Sequence, residues 1–549
     1  MQRMYKRIAK LMSAILCMAL ILTILPAIPA SAATSLRGES IYQIMVDRFY
    51  DGDPTNNATG EAFRYTENTQ DDYRYMHGGD WQGIIDKIPY IKGMGYTAIW
   101  ISPVTDPQLW GVRDAHYLTD STGLKEGTQL QPVAPFNNVQ WYHNLGDINW
   151  DLEHPHTAES TQMLEDHDLG GLDDIDLDNE DAKSAIYDSI KDWFTYTGAD
   201  AARVDAAKCM KPSDIHELQE YLGVATFGEN FDMDVSFVKD WVGDNAETGM
   251  LDFPLFQAIV NDFAYGQNFN NTSELSIQAV FDQDWMYGDH LNDMVTFIDN
   301  HDRNRFLTEA GGDVDKLHNA LTFIFTARGI PVVFQGTEQN RGNANGQIIS
   351  GIADTWNRWS MQTKDANGNV TKEYFDTSTD TYQLIADLNG LRSQYDALAD
   401  GTQREMWTSM HTYAFSRRVD SGENEGQELI CAFHNAEGTE TTTMSIRAES
   451  SITPGTTLVN VFNPNDKITV SSDKKITISL TGNSSKIYAV DEDADPLVPV
   501  TFTVNNATTK WGENVYITGN CDELGNWDPE KAVGPAVCPD YPTWTLTVY

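Results

Sequence analysis

The chain has 549 residues with 81 acidic and 37 basic side chains, a formal net charge of −44, and five cysteines. That length implies roughly two to four domains with room for a large core. The charge argues against nucleic acid or an anionic membrane surface as partner, so a neutral substrate fits best, and the cysteines are too few for a disulfide framework.

Residues Met1 to Ala33 read as a secretory signal. Arg3, Lys6, Arg7 and Lys10 precede an apolar run from Leu11 to Leu25, and Pro29-Ala30-Ser31-Ala32-Ala33 offers a small-residue cleavage site. The run is shorter than the roughly 18 residues a spanning helix needs, so export is expected rather than anchoring. Cys17 leaves with this segment. Cys209 and Cys431 are expected to be free thiols, and pairing of Cys521 with Cys538 is left open.

Short apolar runs then alternate with helical patterns, as in a parallel α/β sheet or barrel. Strands are expected at Ile41 to Val46, Thr97 to Ser102, Ala199 to Val204, Val224 to Gly228, Met250 to Phe253, Met294 to Ile298 and Ile330 to Phe334. Between them, Asn179 to Tyr196 and Asp313 to Ala327 carry apolar residues at helical spacing. From about Asp400 the texture changes to short Thr- and Ser-rich alternating strands, typical of a β-sandwich. The expected units are a barrel over 34–399 with a short insertion, a β-sandwich over 400–490, an acidic, Pro-containing linker over 491–499, and a small β module over 500–549.

Three expected strand ends carry carboxylates, and the C-terminal mouth of a (β/α) barrel is where such a fold builds its site. In Gly198-Ala-Asp-Ala-Ala-Arg203-Val-Asp205-Ala-Ala-Lys208, period two points Arg203 and Asp205 to the same side, so a guanidinium can hold a nucleophilic carboxylate ionised. In Phe227-Gly-Glu229-Asn-Phe231, an aromatic neighbour can desolvate Glu229 and keep it protonated for a leaving oxygen. In Phe297-Ile-Asp-Asn-His301-Asp302, a His-Asp pair can grip sugar hydroxyls and stabilise an oxocarbenium-like transition state.

In order and spacing these motifs resemble the α-amylase family of glycoside hydrolases (family 13). The likeness continues through Ser40-Ile-Tyr-Gln-Ile-Met-Val-Asp-Arg-Phe49, His77-Gly-Gly-Asp-Trp-Gln-Gly83, Thr97-Ala-Ile-Trp-Ile-Ser-Pro103 and Gly336-Thr-Glu-Gln339. It is similar to the branch holding cyclodextrin glucanotransferases and related α-amylases. The resemblance implies a retaining double displacement with Asp205 as nucleophile, Glu229 as acid/base and Asp302 as third carboxylate. Arg203 and His301 would support the reacting sugar, Lys208 and Phe231 would face the acceptor, and Asp354 and Arg358 would lie in donor subsites. It also implies a calcium site from Asp51, Asp53, Asn56, Asn57, Gly78 and Asp80, where an Asp/Asn-rich turn is the alternative, and a second from Asp174 and the carbonyl of Cys209. The tail resembles a family 20 starch-binding module, with Trp527 and Tyr541 as sugar-stacking aromatics. It stops at Tyr549 about halfway, so a truncated product is expected. The expected partners are starch and related α-glucans, met by a monomer.

Two departures qualify the resemblance. Between Pro103 and Trp141 no apolar strand leads into the family's third-strand Asp and Asn-His motif, so one β/α unit is expected to be missing; His116-Tyr117, Asp120 and Gly127-Thr128 only faintly match the family's stretch after strand two. Gly170 stands where cyclising enzymes place a large aromatic, which favours endo-hydrolysis of α-1,4-glucans over cyclisation. Three readings stay open: an α-amylase, a cyclodextrin-forming or maltogenic transglycosylase, and a catalytically impaired glucan binder.

Overall fold

In the computed structural model the described residues are 35–58, 75–103, 118–120, 123–124, 134–170, 173–365, 368–490, 500–510 and 513–548. The signal segment, the linker, His116-Tyr117 and Gly127-Thr128 lie outside them. No helix among the described residues is long and apolar enough to cross a membrane.

Seven parallel strands form the N-terminal unit: β1 (Ile41–Ile44), β2 (Ala98–Ile101), β3 (Ala201–Val204), β4 (Ala225–Gly228), β5 (Gly249–Met250), β6 (Val295–Phe297) and β7 (Ile330–Phe334). Each falls within or overlaps an expected run, trimmed at the ends. Ile41 aligns with Ala98 on one side and Val332 on the other, Val295 with Ile330, Phe227 with Gly249, and Ala201 with Ala225. A single bridge, Leu251 to Val295, joins the two groups of strands. The lateral order is therefore β2-β1-β7-β6-β5-β4-β3, and among the described residues nothing pairs β2 with β3. Among the described residues the sheet is open there. Burial follows: β1 and β7 are buried throughout, whereas all of β3 is half-buried and Ile99 on β2 is 41% exposed. A strand covered on both faces and both sides excludes water, and an edge strand does not.

Helices stack outside the sheet where their caps dictate. Asp80 opens α1 (Trp81–Gly93) by accepting from Gly83 N at 2.6 Å, and Thr157 with Ser160 forms a capping box on α2 (Ala158–Asp166). Asn179 caps α3 (Glu180–Thr197), which ends at Gly198 with φ 68°, a left-handed turn that glycine adopts without strain. After α4 (Pro212–Leu222), Asp313 caps α5 (Val314–Thr326) and Thr379 caps α6 (Asp380–Gln394).

Beyond residue 400 come eight antiparallel strands, six in one sheet and two in another. In Lys475–Thr481, Ile476, Ile478 and Leu480 alternate inward with polar residues outward, the period-two pattern of a sandwich face. The last unit is a three-stranded antiparallel sheet with Thr543–Val548 between Val500–Val504 and Val537–Asp540. Cys209, Cys431, Cys521 and Cys538 are all free thiols, so the pairing left open by sequence is not made.

Candidate active site

β3 and β4 run side by side, so Asp205 and Glu229, one residue past each end, emerge as neighbours. Glu229 N donates to Val204 O at 2.9 Å and continues the ladder past the strand ends. Arg203 points the same way, as its two-residue spacing requires. Its Nη1 donates to Asp205 Oδ1, and its Nη2 lies 3.0 Å from Glu229 Oε1. Asp302 follows β6. Its Oδ1 accepts from Arg358 Nη2 at 2.7 Å, and its Oδ2 is 3.3 Å from His301 Nε2. Arg203 feels the charge of all three carboxylates, so the structure brings the trio to one place.

The two neighbouring carboxyls are pushed apart in acidity. Burial acts to raise Asp205, but the charge and hydrogen bond of Arg203 outweigh it, with a contribution from Glu229, and its pKa falls below the ordinary carboxylate value. Glu229 goes the other way. Burial, reinforced by the negative charges of Asp302 and Asp205 against the opposing pull of Arg203, lifts it to about 7. Burial also lowers His301 to about 4, so its ring is neutral. Gln43 Nε2 lies 2.9 Å from His301 Nδ1; if that amide donates, the ring proton stays on Nε2, toward Asp302.

Lys208 is buried and tied down by the Phe231 carbonyl at 3.0 Å and by a short contact with Glu153. Phe231 packs on Phe253, centroids 4.3 Å apart, under the Arg303 guanidinium. Arg358, expected in a donor subsite, donates to Asp302 and to the carbonyl of His301. Asp354 opens the adjacent turn Asp354–Asn357, anchored where Ala353 N meets Asp302 O at 2.8 Å. In the small C-terminal unit, Trp527 is 67% exposed and Tyr541 57% exposed, and Tyr541 accepts from Thr509 N. Gly170 has φ 59°, and among the described residues nothing lies within 4 Å of where its Cβ would be.

The oxygen-rich loops come together in part. Asp51 and Asn57 are joined at 2.8 Å, and Asp51 Oδ1 and Asn57 Oδ1 are both buried without a hydrogen-bond partner, which suits a hard cation. Gly78 lies against Asn57: a Cβ there would sit 2.5 Å from its Oδ1. The other expected ligands are otherwise engaged. Asp80 accepts from Gly52, Asp53 and Gly83 backbone amides and from Asn56 Nδ2, and Asp53 turns to Thr55. Lys364 already pairs with Asp51. Asp174, expected in a second calcium site with the carbonyl of Cys209, pairs with His143, and Asp166 and Asp176 lie near the same ring. Sequence reasoning missed Gln43, Trp100, Glu153 and Lys364. The Trp100 ring lies 5.5 Å from Phe227 and 5.2 Å from the Arg203 guanidinium.

Residues 43–120 and 112–383 match the model of the α-amylase catalytic domain, and residues 497–549 match that of a starch-binding domain. The chain is 32% identical to a β/α-amylase of Paenibacillus polymyxa over 84% of its own length, and spans 38% of that longer protein. It is 28% identical to the cyclomaltodextrin glucanotransferase of Thermoanaerobacterium thermosulfurigenes over 92% of this chain and 88% of the relative. Among solved structures it is similar to an Anoxybacillus α-amylase, with TM-score 0.64 and 25% identity over 83% of this chain and 98% of that one. It is also similar to a cyclomaltodextrin glucanotransferase with a three-domain ABC distribution, with TM-score 0.66 and 28% identity over 83% and 99%.

Proposed function

Because the chain belongs to the α-amylase family of glycoside hydrolases, we propose that it is an α-amylase that cleaves α-1,4-glucosidic bonds within starch with retention at the anomeric carbon. Asp205 attacks that carbon as the bond to the leaving oxygen breaks, and Glu229 gives its proton to that oxygen. Glu229 then takes a proton from water, whose oxygen displaces Asp205 and frees the product. Asp302 and neutral His301 grip the distorted sugar, and Lys208 and Phe231 face the acceptor. What carries the reading is the split between two carboxyls beside one guanidinium: Asp205 lowered, Glu229 raised to about 7. The test is reducing-sugar release from soluble starch by the wild type and by Asp205→Asn. A rate abolished by the substitution is expected; equal background rates in both would leave a glucan binder.

Similarity to cyclomaltodextrin glucanotransferases over 92% of the chain favours cyclisation as the second reading. Gly170 weighs against it, because no side chain is there for a glucan to wrap around. Dominant cyclic products from starch would move the assignment to that reading.

Three further expectations belong to the proposal. One β/α unit is absent between β2 and β3, a reading supported by exposed Ile99 and half-buried β3. The basic and apolar N-terminal segment supports export. Calcium would be held by Asp51 and Asn57, supplying charge that ties the loop after β1 to Gly78. Added calcium should then raise Tm, and Asp51→Asn should abolish the rise.

A further inference from the structure

A donor set of a different kind lies beside Lys208. His154 and His156 flank Pro155 in the segment between Trp150–Leu152 and α2, and Asp232 stands three residues beyond Glu229 on the loop leaving β4. One ligand atom from each lies within 4.8 Å of the other two. His156 Nε2 is 3.2 Å from Asp232 Oδ2, yet neither ring nitrogen of His156 makes a hydrogen bond. Its ring stacks flat on Phe237, centroids 3.7 Å apart and planes 4° apart, which fixes its orientation. The His154 ring is 4.5 Å from it, and its Nε2 is 4.0 Å from Glu153 Oε2. The group borders a cavity of about 530 Å³ lined by Glu153, His154, Asp232 and Asp234 among others. Two of those carboxylates, Glu153 and Asp232, share the Lys208 ammonium, which lies 3.6 Å from Asp232 Oδ2. The surroundings therefore favour a divalent cation.

We propose that His154, His156 and Asp232 bind a borderline transition-metal ion of the zinc class, clipping the segment before α2 to the loop that follows Glu229. Imidazole nitrogen selects zinc and its neighbours, whereas calcium takes oxygen. A tetrahedral ion with bonds of about 2.0–2.2 Å holds its donor atoms about 3.3–3.6 Å apart. His156 and Asp232 already stand close to that spacing. His154, 64% exposed on its side chain, is free to swing in as the third ligand, leaving a fourth position for water. Such a clip would brace the acceptor side next to the open edge of the sheet.

The test uses the full chain, stripped with a chelator and kept in excess calcium, then titrated with Co²⁺ followed by visible absorption and with Zn²⁺ followed by calorimetry. One Co²⁺ per chain is expected, with the intense bands of a tetrahedral site, displaced by Zn²⁺. Zn²⁺ should raise the Tm of the wild type. In His154→Gln and His156→Gln, affinity should fall at least a hundredfold, and in His154→Gln the metal-free Tm should stay at the wild-type value. His154 is exposed, so that variant keeps the test independent of folding. No stoichiometric binding, only weak octahedral bands, or wild-type affinity in both variants would overturn the site.

Discussion

Arg203 contacts Asp205 and Glu229 at once, so the protonation of the site turns on one guanidinium. In the proposed reaction Glu229 must hold its proton to act on the leaving oxygen, and burial lifts its pKa to about 7, so kcat/KM should fall as pH rises through about 7. On the acid side activity should persist below the usual carboxylate range, because Asp205 is lowered. Arg203→Leu removes the charge and hydrogen bond that lower Asp205, so the acid limb should move to higher pH while kcat drops about 10²–10³-fold. A pH–rate profile of both proteins reads this; an unmoved acid limb would refute the role. At the starch-binding unit, Trp527→Ala should weaken adsorption to granular starch about two- to tenfold and leave hydrolysis of soluble oligosaccharides unchanged, measured by depletion of protein from a starch slurry. The trio was legible because each carboxylate ends a readable apolar run. Gln43 and Lys364 were not: their partners His301 and Asp51 lie 258 and 313 positions away, and no local pattern announces such pairs.

At the scale of elements, the seven strands were legible because parallel strands covered by helices read as short continuous apolar runs. β5 was the least so, with only Gly249 and Met250 in the ladder where a run to Phe253 was expected. Phe253 instead opens a helix, because Asp252 caps it through Leu255 N at 3.0 Å. The open side between β2 and β3 has a measurable signature. In a closed barrel Ile99 would be covered, and Ile99→Thr would cost a few kcal/mol as an unmatched buried hydroxyl. At 41% exposure it should cost under about 1 kcal/mol in urea unfolding. Val332→Ala on fully covered β7 should cost about 2 kcal/mol or more and serves as the reference. Equal costs at the two positions would mean that the edge is covered in solution.

At the scale of the molecule, the N-terminal unit and one face of the sandwich share a hydrophobic core, which residue texture gave no reason to expect. Phe323 on α5 meets Phe415 and Phe433 of the sandwich at 6.1 and 5.2 Å, and Asn319 Nδ2 donates to His434 O at 2.8 Å. Two buried arginines complete the joint at the C-terminal end of α5. Arg417 from the sandwich donates to Thr326 O at 3.1 Å and Gly401 O at 2.9 Å, while Arg392 donates to Phe325 O at 3.2 Å. Helix carbonyls left over at that end carry partial negative charge, which explains why cations sit there without a carboxylate partner. Burial lowers Arg417 to about 10, still charged at neutral pH. Arg417→Leu would strand two buried carbonyls at about 1–3 kcal/mol each, a loss borne by both units because they share the contact. The expected outcome is one cooperative transition at lower denaturant, followed through tryptophan fluorescence and far-ultraviolet circular dichroism together. Two separated transitions in the wild type would show that the units are stable independently, and the shared core would then be only a docking surface.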